Sequence, residues 1–126
     1  MISAAPAAPR CANVSVSAVL RLPPALAASA TPRVLELLGE PPGRVLELGF
    51  AGIHAVPLRL AGFEVVVVEP DPAFLGRARE RAGEALRAPP SERFDAVVAA
   101  AGADLRGVDA ALVVLVAADG NASIVE

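Results

Sequence analysis

Glu47, Gly49, Gly52 and Glu69 are the residues whose types and spacing suggest chemistry. They lie in RVLELGFAGIHA and in the run FEVVVVEP that follows it. Glycines at 49 and 52 leave the turn without a Cβ, so a ligand can approach the backbone closely. A helix starting just after such a turn points unpaired N–H groups at an anion or a carboxyl group. Glu69 closes the second apolar run about twenty residues on. An acid at that place accepts hydrogen bonds from the two hydroxyls of a ribose and disfavours a 2′-phosphate. It can equally be a strand-end acid that marks where burial stops, and a Gly-x-x-Gly turn also serves any strand-to-helix crossover. Glu47 bears on the kind of ligand. A carboxylate inside an apolar strand is costly without a partner. A dinucleotide's pyrophosphate would repel it, whereas a ligand carrying an ammonium would pair with it. The dinucleotide fingerprint also needs a third glycine for helix packing, and Ile53, His54 and Ala55 follow Gly52 instead. His54, the single histidine, has two readings: a catalytic or substrate-binding role beside the loop, or local packing at a helix start.

The surrounding sequence supplies elements to position these residues. Thr31-Pro32 predicts a helix start, Thr31 as cap, and RVLELLGE then carries Val34, Leu35, Leu37 and Leu38 to a stop at Gly39. RVLELGF predicts the first strand. HAVPLRLAG predicts a short helix with Pro57 near its start and Gly62 just past its end. The unbroken valines of FEVVVVEP predict a strand buried on both faces, as in a parallel sheet. Pro72 to about Leu86 predicts a longer helix, with Phe74, Ala78, Ala82 and Leu86 on one face and Arg77, Arg79 and Arg81 on a solvated one. Ala96 to Ala100 and LVVLVAA read as two further buried strands, the second ending in the turn DGNAS. This alternation predicts an α/β fold with a parallel sheet. Residues 1–12 are rich in Ala and Pro, and NVSVSAVLRL is a short strand or the approach to a helix. The chain divides into an N-terminal segment, 1–30, expected to be partly disordered, and one folded domain, 31–126.

Composition narrows the partners. The apolar fraction is 55% and aromatics are 3%, so Ala, Val and Leu must build the core. A net charge of −3 gives no electrostatic reason to bind nucleic acid or an anionic membrane, and aromatic platforms for stacking bases are lacking. One Cys (Cys11) and one His cannot form a recognisable zinc set, and no metal is expected. MISAAPAAPR lacks the charged start and apolar core of a secretory signal. The apolar runs from Leu22 to Pro32 and from Ala110 to Ala118 are too short to span a membrane. The expectation is a soluble, cytoplasmic protein.

The segment VLELGFAGIHAVPLRLAGFEVVVVEPDPAFLGRARERA resembles the first two motifs of class I S-adenosylmethionine-dependent methyltransferases, and GEALRAPPSERFDAVVAA resembles the third. The resemblance runs from residue 44 to about 118. It implies a Rossmann-like three-layer sandwich with a mostly parallel sheet, here lacking the family's usual C-terminal strands. It implies S-adenosylmethionine as cofactor, with Glu47 near the methionine moiety, Gly49, Ala51 and Gly52 as the loop floor, Glu69 on the ribose and Glu84 at the adenine edge. Ala99 to Ala101 would lie beside the reacting methyl. The glycine loop is one residue shorter than the family's, with Phe50 and Ala51 where small glycines are usual. The helix before the third motif leaves almost no third strand, so Glu84 also reads as a solvated helix carboxylate, and Asp95 as a structural acid.

The implied activity is methyl transfer to an unidentified small-molecule or macromolecular acceptor, with no catalytic base evident in the sequence. Two alternatives stand beside it. One is an NAD-binding Rossmann unit. The other is a non-catalytic Rossmann-like module acting through a partner or as a homodimer.

Overall fold

A computed structural model describes residues 22–125. Cys11, the Ala/Pro-rich start and most of NVSVSAVLRL lie outside the described residues. The elements are α1 (Pro24–Ser29), α2 (Thr31–Leu38), β1 (Arg44–Leu48), α3 (Ala55–Ala61), β2 (Glu64–Val68), α4 (Pro72–Ala82), β3 (Arg93–Ala100), β4 (Asp109–Val116) and β5 (Ala122–Val125). Their ends follow local chemistry. Gly39 stops α2 at φ +80, and Gly62 ends α3 in the left-handed region. Asp71 caps α4 by accepting the Ala73 N–H at 2.9 Å.

The strands form one five-stranded sheet in the order β2-β1-β3-β4-β5, parallel except for the β4–β5 pair. The chain steps from β1 to β2, then crosses back over β1 to reach β3. The connections on the two sides of β1 therefore diverge at the carboxyl ends of β1 and β3, where open parallel sheets hold their ligands. The fold is α/β with a mostly parallel sheet, as expected.

Side chains from all four described helices enter one buried cluster: Ala27 from α1, Val34 from α2, Leu58 from α3 and Ala78 from α4 pack on Val45, Val67, Val98 and Val116. The opposite sheet face, Leu46, Leu48, Val68, Val97 and Ala99, packs instead on the loop residues Leu86, Ala103, Leu105 and Val108. A three-layer sandwich is thus corrected to helices on one face among the described residues. The reason is the connection from β3 to β4, residues 101–108, which turns without a helix. Parallel strands usually need a crossover of about a dozen residues or more to hold one.

Four further expectations are corrected. A C-terminal strand is present: β5 pairs antiparallel with β4 through Val114 and Ile124, and of DGNAS only Asp119 to Asn121 lead into it, Ala122 and Ser123 being its first residues. The longer helix ends at Gly83 (φ +87), not at Leu86. Leu86 instead donates to the Val67 carbonyl at 2.8 Å and accepts the Glu69 N–H at 2.7 Å, a single parallel bridge on the outer edge of β2. Thr31 does not cap α2, because its hydroxyl is bonded to His54. The division at residue 30 cuts through the folded part, since α1 precedes it and Ala27 and Ala30 are buried in the core.

The amino end of the sheet is held by charge pairs far from the carboxyl-end crevice. Asp95 accepts the Arg44 N–H at 2.7 Å. The Arg44 side chain pairs with Glu64 and Glu92 and lies over the Phe94 ring, 5.0 Å from its centre. Among the described residues no helix is long and apolar enough to cross a membrane.

Two glycines test these assignments in opposite directions. At Gly62 (φ +114) a Cβ would lie 3.0 Å from Pro41 Cβ, so Gly62→Ala is expected to destabilise the fold by about 1–3 kcal/mol. At Gly76, inside α4, a Cβ meets nothing within 4 Å, so Gly76→Ala is expected to stabilise by roughly 0.5–1 kcal/mol. Urea denaturation of both variants reads the two signs, and equal signs would refute the backbone assignments.

Candidate functional site

The site is built where β1 and β2 end side by side, with Glu47 opposite Val67 and Leu48 opposite Val68. Gly49 N–H donates to the Val68 carbonyl at 3.0 Å, which carries the ladder one residue past β1. The chain then turns through Phe50, Ala51 and Gly52 into α3. Gly49 (φ +84) and Gly52 (φ +79) adopt conformations that suit glycine, and Ala51 (φ +52) is the non-glycine residue with positive φ among the described residues.

Glu47 points to the helix-covered face and is fully buried. Its Oε2 accepts the His54 N–H at 2.5 Å, a donor at the start of α3 that no helical carbonyl can reach. Its Oε1 has no hydrogen-bond partner among the described residues. Burial pushes the Glu47 carboxyl up to about 7. The backbone of His54 and Gly52 and the more distant Arg59 oppose that rise, and the charge of Glu69 adds to it.

Glu69 is also fully buried, and it ties two loops together. Its Oε1 accepts the Ala51 N–H at 3.0 Å and its Oε2 accepts the Asp71 N–H at 3.0 Å. From the other side, Arg81 of α4 donates to the Ala51 carbonyl at 3.0 Å. The peptide groups flanking Ala51 are therefore gripped by an acid at the end of β2 and a base in the last turn of α4.

His54 is buried behind the loop. Its Nδ1 is 2.8 Å from the Thr31 hydroxyl, its Nε2 lacks a partner among the described residues, and its ring meets Phe50 edge-on at 4.7 Å. Burial lowers its pKa to about 4, so the ring is neutral near pH 7.

The structure thus gathers five of the six predicted cofactor residues, Glu47, Gly49, Ala51, Gly52 and Glu69, around one loop. It separates the sixth: Glu84 is exposed beyond the end of α4 and lines a different cavity of about 220 Å³ on the outer edge of β2, with Arg59, Leu86 and Glu92. Gly52 proves to be a packing glycine, since a Cβ there would lie 3.3 Å from the Ala78 carbonyl oxygen and from Arg81 Cβ. Gly49 has open space where its Cβ would stand. Arg77, Arg79 and Arg81 are exposed, as the helical pattern predicts, but the bond from Arg81 to the loop was not foreseen. Arg77 and Arg81 line the small cavity beside the loop, together with Gly49, Phe50, Ala51 and Phe74. The signal was available: from Phe74, positions 77, 78 and 81 are the i+3, i+4 and i+7 neighbours on one helix face. That cavity measures about 30 Å³, room for little more than a water molecule. No protein-family model matches the chain, and no curated protein matches it significantly.

The two buried titrating groups oppose one another in stability. Glu47 has a folded pKa raised from 4.5 to about 7, so its contribution is complete below pH 4.5 and is lost as pH rises through 7. His54 has a folded pKa lowered from 6.5 to about 4, so its contribution is complete above pH 6.5 and is lost as pH falls through 4. Between pH 4.5 and 6.5 these slopes cancel. In Glu47→Gln, stability is expected to rise with pH across that window relative to the parent. Denaturant melts at several pH values measure this, and superimposable profiles for the two proteins would disprove the assignment.

Proposed function

We propose that the chain is a small Rossmann-like, methyltransferase-like domain that takes S-adenosylmethionine. One observation carries the reading: two buried acids from the ends of adjacent strands, Glu47 and Glu69, converge on one glycine-bearing loop at the divergence point of the sheet. The residue types fit the cofactor. Gly49 leaves open space for a close approach to the backbone. Glu69 offers two carboxylate oxygens, the acceptor type a ribose diol uses, each now holding a backbone N–H. Glu47 lies behind the loop and positions it through the His54 N–H, and its negative form favours a cationic ligand nearby. Glu84 has no part in this reading.

S-adenosylmethionine supplies an electrophilic methyl group on a sulfonium. The chain's contribution is to bind and orient it, which is the main requirement of an in-line displacement. Ala99 and Ala100 are buried where β3 ends beside β1, and these small side chains leave the crevice wall apolar. No side chain is assigned as a general base.

A second reading, a non-catalytic module acting through a partner or a second copy, draws on the fact that both oxygens of Glu69 are already engaged by its own chain. Titration calorimetry separates the two. The parent is expected to bind S-adenosylmethionine, and Glu69→Ala to bind it at least about tenfold more weakly, the loss expected when charge-assisted hydrogen bonds go. Absence of heat in the parent, or equal affinity in both proteins, favours the non-catalytic module. Thermal stabilisation by NAD alone would point to a dinucleotide.

A further inference from the structure

We infer that the loop between β1 and α3 is a self-occluding latch, held shut in the free domain by Glu69 and Arg81, and that ligand must displace Ala51 from Glu69 in order to bind. The inference rests on the S-adenosylmethionine reading above for the identity of the ligand, but the latch itself stands on contacts within the loop.

Three observations support it. First, the Ala51 N–H goes to Glu69 Oε1 and the Ala51 carbonyl accepts from Arg81 Nη1, both at 3.0 Å. The two side chains come from different elements and carry opposite charge, each matched to one end of the same residue. Second, Ala51 sits at φ +52. An L-residue disfavours that conformation, so surrounding contacts must maintain it. Third, Phe50 and Ala51 are both buried, with Phe50 edge-on to His54, and the cavity they line among the described residues is about 30 Å³. A ligand of nucleotide size needs roughly 300 Å³ or more. Glu69 Oε2 is meanwhile occupied by the Asp71 N–H. A ribose hydroxyl reaches this carboxylate only by taking the place of a backbone donor.

The latch has an energetic consequence. When the binding-competent conformation is a minor fraction of the free protein, apparent affinity falls by that fraction. Arg81 holds the closed form and is exposed to solvent, so its removal opens the loop without excavating the core. A residue that merely supported the site would have the opposite effect, because its loss would weaken binding.

The test uses the full chain, its Arg81→Ala variant, and Arg81→Gln, which keeps an uncharged donor. Amide hydrogen exchange by NMR on ligand-free protein reports the latch directly. In Arg81→Ala, exchange at Ala51 is expected to rise about tenfold, with amides of β1 and β2 unchanged and Arg81→Gln intermediate. Calorimetry with S-adenosylmethionine is expected to show about tenfold tighter binding to Arg81→Ala than to the parent. Unchanged exchange at Ala51 overturns the latch, and so does faster exchange accompanied by equal or weaker binding. Faster exchange with no heat in any of the three proteins supports the latch and discards S-adenosylmethionine as its ligand, so the two claims fail separately.

Discussion

The Glu69 carboxylate stands where two turns of the chain meet, and the carboxyl end of the sheet is organised around it. One oxygen takes a donor from the turn after β1 and the other takes a donor from the turn after β2. Buried N–H groups must find acceptors, and an ionised acid supplies stronger ones than a carbonyl can. One layer deeper, one oxygen of Glu47 accepts the His54 N–H that opens α3. The two acids are close enough that the charge of Glu69 contributes to the raised pKa of Glu47. The burial is offset by backbone donors that would otherwise be stranded, two on Glu69 and one on Glu47.

What the sequence made legible follows from how local each cause is. The valine run of β2, the strand before Gly49, the stop at Gly39 and the left-handed Gly62 each depend on a few neighbouring residues, and they appear where the pattern puts them. The convergence of Glu47, the glycines and Glu69 was legible because it depends on only one crossover. The misread features were decided at long range. Leu86 continues the helical face of Phe74 and Ala78, yet the positive φ of Gly83 breaks the helix and the edge of β2 claims Leu86. Thr31 has the chemistry of a cap, but His54, distant in sequence, takes its hydroxyl. The four residues of β5 carry no periodic signal and become a strand only because β4 presents an edge to them. Arg81 is exposed as its pattern predicts, but its bond to the Ala51 carbonyl was hidden, because main-chain acceptors leave no trace in a charge pattern.

Short connections explain both unusual features of the domain. The tight turn from Gly49 to Gly52 brings Ala51 N–H within reach of Glu69, and the acid closes on its own backbone. The helix-free segment 101–108 brings β3 back to β4 without a second helical layer, so loop residues such as Leu105 and Val108 cover Val97 and Leu46 instead. In each case a short connection leaves little space or wall for a ligand, and the polar and apolar groups there satisfy one another. The carboxyl-end crevice is bordered on one side by a clamped turn and on the other by this short connection. Of these two borders, only the clamped turn combines an opposed pair of charges with a disfavoured backbone conformation, so it is the one with a second arrangement to move to.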